Sequence, residues 1–248
     1  MTALHTGGCH CGQVRFALTP PLRDVLACHC TQCRKVSGHF WAATSVPHDR
    51  FTLTCDIGLR WYSSSDTAKR GFCGGCGSSL FWQPKGEARI SVAAGALDGP
   101  TGLVTTEHWF LADRGDYCAP KSAPHPTTLH GSCLCGAHQL SLPGPMGAVS
   151  ACHCIQCRKL SGHYSASFDV VEDTVVWQSE EPLCQYTTPG GASRGFCGRC
   201  GSSLTFRAAD GGFAIEAGCI DGPTGGYLHT HGFIEEKADY YGLDDPKD

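Results

Sequence analysis

The sequence carries the same cysteine-rich segments twice. CHCTQCRKVSGH at 28–39 returns as CHCIQCRKLSGH at 152–163, and RGFCGGCGSSL at 70–80 returns as RGFCGRCGSSL at 194–204. Further along, GALDGPTG at 95–102 matches GCIDGPTG at 218–225, so the offset stays at 123 or 124 residues. A fixed offset over most of a chain indicates a tandem duplication. Whatever one half folds into, the other half must fold into as well.

The 248 residues therefore divide into two units of ordinary domain size. We predict a first domain at 1–122 and a second at 123–248. The join falls near APKSAPHPTT (119–128), a segment rich in proline and small residues that is typical of a linker.

The duplication also sorts the eighteen cysteines. Seven positions recur in both copies: Cys9, Cys11, Cys28, Cys30, Cys33, Cys73 and Cys76, matched by Cys133, Cys135, Cys152, Cys154, Cys157, Cys197 and Cys200. The other four do not recur, and we expect Cys55, Cys118, Cys184 and Cys219 to be ordinary packed thiols. Because seven is odd, a closed set of disulfides within each copy is excluded.

The N-terminal sequence and the composition indicate the cellular compartment and the partners to expect. The start, MTALHTGGCH, has no basic or apolar stretch of an export signal, and no apolar run is long enough to span a membrane, so we expect a cytoplasmic protein. Reducing conditions there favour metal binding or catalysis over disulfides. The formal charge of −4 disfavours nucleic acid and anionic membranes as partners.

Four of the seven repeated cysteines form two pairs that suit one zinc ion. The C-G-x-C turns at Cys73/Cys76 and Cys197/Cys200 resemble zinc knuckles, in which glycine lets two sulfurs converge. Each needs a second pair, and Cys9/Cys11 and Cys133/Cys135 have a suitable spacing. We predict a structural four-cysteine zinc site in each half.

The remaining cysteines are trios: Cys28, Cys30 and Cys33, and their copies Cys152, Cys154 and Cys157. Three protein ligands and one open position are the pattern of a catalytic zinc. A second structural zinc, closed by a histidine or a carboxylate, is the alternative. The repeated histidines supply its candidates: His29, His39 and His108, with copies His153, His163 and His231. Ligand counting leaves both interpretations open and predicts about four zinc ions per chain, two per domain.

The segments between the cysteines are short and alternate in hydrophobicity. VRFAL (14–18), RFTLT (50–54) and ARISVAAG (88–95) place apolar residues at every second position, which predicts strands. No long helical stripe exists, and TQCRKVSG (31–38) suits one helical turn. We expect each half to be mainly antiparallel β with metal-bearing loops.

Four motifs, taken in order, resemble those of a known family. They are G-x-C-x-C-G, C-H-C-x-x-C-R-K-x-S-G, R-G-F-C-G-x-C-G-S-S-L and G-x-[LI]-D-G-P, and they cover nearly the whole of both copies. In these motifs the chain resembles the glutathione-dependent formaldehyde-activating enzyme family, also called the centromere protein V/Gfa domain. The resemblance implies two tandem β-tent zinc-binding domains. It also implies a structural zinc on the four-cysteine sets and a zinc that does chemistry on the trios.

The activity implied by this resemblance is that of a carbon–sulfur lyase. The family reaction joins glutathione and formaldehyde to S-(hydroxymethyl)glutathione, so the expected partner is a glutathione-like small thiol or its aldehyde adduct. Glutathione carries two carboxylates, and six basic residues near the ligands are candidates to bind them: Arg34, Lys35 and Arg70, with copies Arg158, Lys159 and Arg194. They equally suit a role in balancing thiolate charge.

Two other functions remain open at this point. A non-catalytic binding module, stabilised by zinc, would have a fourth protein ligand at each trio. A thiol-based metal buffer ranks last, because the separate turns with distinct spacings suit fixed sites. We expect a monomer or weak dimer, since a duplication can take the place of a homodimer.

Overall fold

The computed structural model describes residues 4–118, 125–179 and 181–243. The predicted fold class, mainly β with two tandem β-tent zinc-binding domains, is confirmed in the form of two similar halves. Each half has a pair of sheets and cysteine clusters that could bind metal. The predicted boundary between residues 122 and 123 lies outside the described residues.

In the first half a three-stranded sheet accompanies a seven-stranded sheet. The strands are β1 (His5–Gly8), β2 (Arg15–Leu18), β3 (Val25–Cys28), β4 (Trp41–Pro47), β5 (Phe51–Cys55), β6 (Leu59–Ser65), β7 (Ala68–Cys73), β8 (Ser79–Pro84), β9 (Arg89–Ala93) and β10 (Thr105–Trp109). The strand orders are β1-β2-β5 and β10-β3-β4-β9-β8-β7-β6. The three segments predicted as strands form β2, β5 and β9.

The second half repeats this plan. Its strands are β11 (Thr128–Ser132), β12 (His138–Pro143), β13 (Ala148–Cys152), β14 (Ser165–Asp169), β15 (Val176–Ser179), β16 (Cys184–Thr187), β17 (Ser193–Phe196), β18 (Ser203–Arg207), β19 (Phe213–Glu216), β20 (Ile220–Asp221) and β21 (Tyr227–Gly232). The orders are β15-β12-β11-β20 and β16-β17-β18-β19-β14-β13-β21.

Each large sheet departs from the antiparallel expectation at one edge. β10 pairs in parallel with β3, and β21 pairs in parallel with β13. Residues 94–104 carry the chain from β9 to the far edge of the sheet, so β10 enters in the same direction as β3. As a consequence Trp109 lies beside Cys28.

Each trio is built around a short helix. Helix α1 (Thr31–Ser37) follows β3, and α2 (Ile155–Ser161) follows β13. At seven residues each helix is about two turns long, longer than the single turn predicted. Gly38 ends α1 with a left-handed backbone, φ 84°, and its N–H bonds to the carbonyl of Arg34 at 2.9 Å. Glycine adopts this conformation without the steric cost of a side chain.

Alternating side chains give each large sheet two different faces. In the first half Phe81 and Val92 are buried against the small sheet, where the Phe16 and Phe81 rings lie 5.4 Å apart. Their neighbours Trp82 and Ser91 point to the opposite face, because successive strand residues alternate. The core therefore occupies one face and leaves the other for a site.

The two halves contact each other through a reciprocal arrangement. Helix α1 packs on the 3₁₀ turn Ala217–Cys219, and α2 packs on the turn Ala94–Ala96. At the closest points Gly218 N–H donates to the carbonyl of Gly38 at 2.6 Å, and Gly95 N–H donates to that of Gly162 at 2.9 Å. Within the described ranges, no helix is long and apolar enough to cross a membrane.

Candidate metal centres and the adjoining cleft

The fourteen repeated cysteines gather into four clusters. In the first half Cys9, Cys11, Cys73 and Cys76 have all their sulfurs within 4.8 Å of one another, and Cys133, Cys135, Cys197 and Cys200 repeat this arrangement. Cys9 follows β1 and Cys73 ends β7, so the cluster connects the two sheets of its half. Four mostly buried sulfurs at this spacing fit the donor set of a structural zinc.

The other two clusters are the trios. Cys28 ends β3, Cys30 caps the N-terminus of α1 and Cys33 lies in its first turn. Residues three apart on a helix lie on one face, which brings Cys33 toward Cys30. The three sulfurs lie within 4.8 Å of one another, as do those of Cys152, Cys154 and Cys157.

No fourth ligand atom accompanies either trio in the described part of the chain: the clusters contain cysteine alone, with no histidine nitrogen or carboxylate oxygen. Each candidate histidine has a ring nitrogen in contact with another histidine or a tyrosine, including His163, whose Nδ1 lies 2.8 Å from the Tyr240 hydroxyl. His29 Nε2 lies 3.0 Å from His108 Nδ1, and the two ring nitrogens of His39 contact the hydroxyls of Tyr117 and Tyr164 at 2.9 and 3.1 Å. In the second half His153 and His231 repeat the first contact at 2.9 Å. This geometry favours an open position.

Hydrogen bonds among the sulfurs lower the pKa of one thiol in each trio, whereas the pKa values of the other two thiols are raised, with burial contributing to the rise. Bonds from Cys28 and Cys33 lower the pKa of Cys30 to about 2, with a further contribution from the charge of Arg70. Bonds from Cys152 and Cys157 lower the pKa of Cys154 in the same way. A cluster that stabilises a thiolate in this way is suited to a soft divalent metal.

Of the six predicted basic residues, two lie at the trios. Arg70 on β7 donates from Nη2 to Cys33 Sγ at 3.4 Å, and Arg194 on β17 donates to Cys157 Sγ at 3.2 Å. Both are buried, so each guanidinium offsets thiolate charge at close range.

The other four lie at the boundary between the halves. Lys35 Nζ is 2.6 Å from Asp221, and Lys159 Nζ is 2.7 Å from Asp98. Arg158 reaches the carbonyl of Gly95 at 3.5 Å. The carbonyl of Arg34 faces Gly218. None of the four lines the cleft described next.

In the first half the trio opens on a cleft of about 470 Å³ on the free face of the large sheet. Trp41 and Ser45 of β4, Trp82 of β8 and Arg70 contribute to its walls along with the three cysteines. Phe110 stands at the edge, 57% exposed, with a left-handed backbone (φ 59°) that a bulky residue rarely adopts.

Four further cleft residues escape motif analysis: Arg23, Arg89, Trp109 and Phe110. None lies in a repeated cysteine motif. For three of them the signal is divergence between the copies, because Arg23, Arg89 and Trp109 stand where the second half has Gly147, Gly212 and Gly232. A comparison of the copies for differences, rather than identities, would have found those three.

The second trio has a different neighbour. Glu216 on β19 occupies the place of Ala93, since Ser167 pairs with Glu216 as Ala43 pairs with Ala93. Glu216 is buried, lies 3.8 Å from Arg194 and accepts hydrogen bonds from Ser165 Oγ at 2.9 and 3.0 Å. Burial raises the pKa of Glu216 to about 7, against the opposing effect of Arg194.

Comparison with known proteins identifies the family of this chain. The family model described as glutathione-dependent formaldehyde-activating enzyme matches residues 4–113 and again 128–236. Among solved structures, a crystal structure of a Rhodobacter sphaeroides protein is similar, with 25% identity and a TM-score of 0.36, over 42% of this chain and 98% of that one. The two family matches together span most of the chain, one to each half, and the protein therefore belongs to the glutathione-dependent formaldehyde-activating enzyme family as a tandem duplicate.

Proposed function

We propose that the chain is a zinc-dependent carbon–sulfur lyase-like enzyme, similar to an S-(hydroxymethyl)glutathione synthase. It joins a glutathione-like thiol to a small aldehyde, or cleaves the adduct. The observation that carries this proposal is the trio Cys28, Cys30 and Cys33, which has no fourth ligand among the described residues and opens on the cleft. Membership of the family supports the class of thiol.

The donor set of each trio fits zinc. Three converging cysteine sulfurs beside a cationic side chain are typical of a zinc–thiolate site. Zinc held there would supply a Lewis acid that favours the thiolate form of a thiol or polarises a carbonyl oxygen.

The protein's own residues contribute position and charge. In the reaction a bond forms between the thiol sulfur and the aldehyde carbon, and the proton lost by the thiol ends on the former carbonyl oxygen. Arg70 lines the cleft and also bonds Cys33 Sγ, so its guanidinium faces the place where negative charge develops. No carboxylate pairs with Arg70 within residues 4–118, 125–179 and 181–243, so a substrate in the cleft competes only with the thiolates of the trio for its charge.

The experiment compares exchange rates at equilibrium. Magnetisation-transfer NMR measures the interconversion of glutathione plus formaldehyde with S-(hydroxymethyl)glutathione, with and without the zinc-loaded protein. The expected result is acceleration by the wild type and a return to the spontaneous rate in the Cys30→Ser/Cys154→Ser double variant. Cys55→Ser/Cys184→Ser is the matched control, because neither cysteine belongs to a cluster among the residues that the structure describes.

The zinc content and the circular dichroism spectrum of each variant are measured alongside the exchange rates. They establish that the variant of the trios has lost metal from those sites alone and has kept its fold. If the double variant accelerates exchange as well as the control does, the proposal is wrong. A wild type that binds zinc without accelerating exchange would instead be a zinc-stabilised binding module.

A further inference from the structure

The two halves have the same cysteines and different cleft walls. Some positions that match by strand register carry a large aromatic or cationic residue in the first half and a small residue in the second, whereas Trp82 and Phe110 keep aromatic counterparts, Phe206 and Phe233. Trp41, which pairs with Cys28, corresponds to Ser165, which pairs with Cys152. Trp109, also beside Cys28, corresponds to Gly232.

Flat apolar surfaces dominate the first cleft. Trp41, Trp82, Trp109 and Phe110 all line it, although Trp41 is 5% exposed and Trp109 is 49% exposed. The walls thus run from a buried indole near the trio to exposed rings at the edge. Aromatic rings bind other flat apolar groups by stacking and edge contacts.

Cationic groups also line the same cleft. Arg23 Nη2 donates to the carbonyl of Ala43 at 2.8 Å, and Arg89 Nη2 donates to Ser45 Oγ at 2.7 Å. Ala43 and Ser45 are alternate residues of β4, so the two guanidinium groups are anchored along one strand. With Arg70 the lining has three arginines against one carboxylate, that of Glu87.

The second half lacks this combination. Gly147 and Gly212 replace Arg23 and Arg89, and the guanidinium of Arg194 faces the buried carboxylate of Glu216. A substrate with a negative group therefore meets less free positive charge beside the second trio than beside the first.

We propose that the first cleft is a specificity site for thiol adducts that carry both an anionic group and a flat apolar substituent, as in adducts of aromatic aldehydes. The sulfur lies at Cys28, Cys30 and Cys33, the ring lies against Trp41 and Trp82, and the carboxylate lies at Arg23 and Arg89. The second site does not take these ligands. This proposal rests on the proposed function, because it assumes that a thiol-derived sulfur lies at the trio.

The test measures binding rather than turnover. Calorimetry of the zinc-loaded full chain with two unreactive thioethers, S-benzylglutathione and S-methylglutathione, gives the affinity and the number of sites. We expect the benzyl compound to bind about tenfold more tightly, at one site per chain, because its ring is buried against indoles. Trp82→Ala should remove most of that preference, whereas Trp177→Phe, a change far from the cleft in the second half, should keep it.

The anionic part is tested separately. Arg89→Ala should weaken both ligands by about tenfold at low ionic strength, and Arg89→Lys should restore part of the loss. Arg207→Ala removes an exposed guanidinium from the second half and serves as the control. Zinc content and circular dichroism show whether each variant is folded.

Equal affinity for the two thioethers, two equivalent sites per chain, or an Arg89→Ala variant that behaves like Arg207→Ala would each overturn the proposal. Failure of the proposed function gives a different pattern. In that case the binding preference and its dependence on Trp82 and Arg89 persist, while the exchange of S-(hydroxymethyl)glutathione stays at the spontaneous rate.

Discussion

Lys35 of the first half forms an ion pair with Asp221 of the second, with Nζ 2.6 Å from Oδ1, and Lys159 pairs in return with Asp98 at 2.7 Å. The lysine side chains are only 9% and 13% exposed. A buried ammonium group needs a partner, because its desolvation is costly otherwise. The lysine of each repeated C-R-K motif thereby joins its own trio-bearing helix to the other half.

Removing one of these carboxylates should destabilise the contact between the halves. Asp98 accepts bonds from Arg15 and Lys159, so Asp98→Asn leaves two cations without a charged partner. Because Asp98 is partly exposed, we expect a loss of about 1–2 kcal/mol in the free energy of unfolding. Chemical denaturation of zinc-saturated protein measures it, with exposed Asp66→Asn as the control. Equal stability of the two variants would contradict this assignment.

A methyl group at Gly218 should be tolerated less well still. A Cβ there would lie 2.5 Å from the carbonyl oxygen of Arg34 and as close to the backbone of Gly38, so the halves would have to separate. We expect Gly218→Ala to cost about 2–3 kcal/mol. Gly190→Ala is the matched control, because a Cβ at Gly190 would have no atom within 4 Å outside its chain neighbours. Thermal unfolding gives the midpoint of each variant. Identical midpoints would show that the contact of Gly218 with Arg34 and Gly38 does not hold the halves together.

Glu216 makes stability depend on pH in a defined direction. Burial raises its pKa to about 7 in the folded protein, whereas the pKa of an unfolded glutamate is about 4.3. Between these values the unfolded chain loses a proton that the folded chain keeps, so the contribution of Glu216 to stability falls as the pH rises and levels off above about pH 7. Glutamine cannot ionise, so the Glu216→Gln variant does not show this loss of stability. Arg194 can still donate its hydrogen bond to Cys157 Sγ in the variant.

The stability of Glu216→Gln relative to wild type should therefore increase between pH 5 and pH 8, by up to about 3 kcal/mol. Denaturation curves of both proteins at each pH, with zinc in excess, give the difference and cancel the pH dependence of metal binding that they share. A difference that stays constant with pH would show that Glu216 does not titrate in this range.

The sequence predicts both Arg70 and Lys35 as substrate contacts, and the fold puts them in different surroundings. Arg70→Met should raise the KM for S-(hydroxymethyl)glutathione by about tenfold, because a guanidinium that lines the cleft is lost, and zinc content is measured as well because Arg70 also bonds Cys33 Sγ. Lys35→Met should lower the unfolding midpoint and leave KM near its wild-type value. Steady-state kinetics and thermal unfolding of the two variants measure both effects. A rise in KM for Lys35→Met alone would assign the substrate contact to Lys35 instead.

The metal clusters could be predicted because their spacing is local and repeated. Cys73 and Cys76 are three residues apart around glycines, and the second copy shows which cysteines matter. The alternating strands β2, β5 and β9 are likewise local patterns. The helical segment TQCRKVSG (31–38) is a local pattern too, and its last residue, Gly38, ends the helix.

The contact between the halves could not be predicted in this way. Gly95 and Gly218 lie in turns that resemble many glycine turns, and only the fold brings them against Gly162 and Gly38. The cleft depends on side chains from β4, β8 and β9 that share one sheet face, and their strand order does not follow the chain. Glu216 escaped prediction because its copy, Ala93, made the position look like ordinary core.

The central claim is that each trio leaves one zinc position to a thiol, and zinc K-edge X-ray absorption tests it most directly. Fourteen cysteines over four ions give about 3.5 sulfurs per zinc in the protein alone. We predict that saturating glutathione raises the average to about four, and that the Cys30→Ser/Cys154→Ser variant shows no such rise. An average that stays unchanged on adding glutathione, with a histidine nitrogen in the remaining position, would contradict the account.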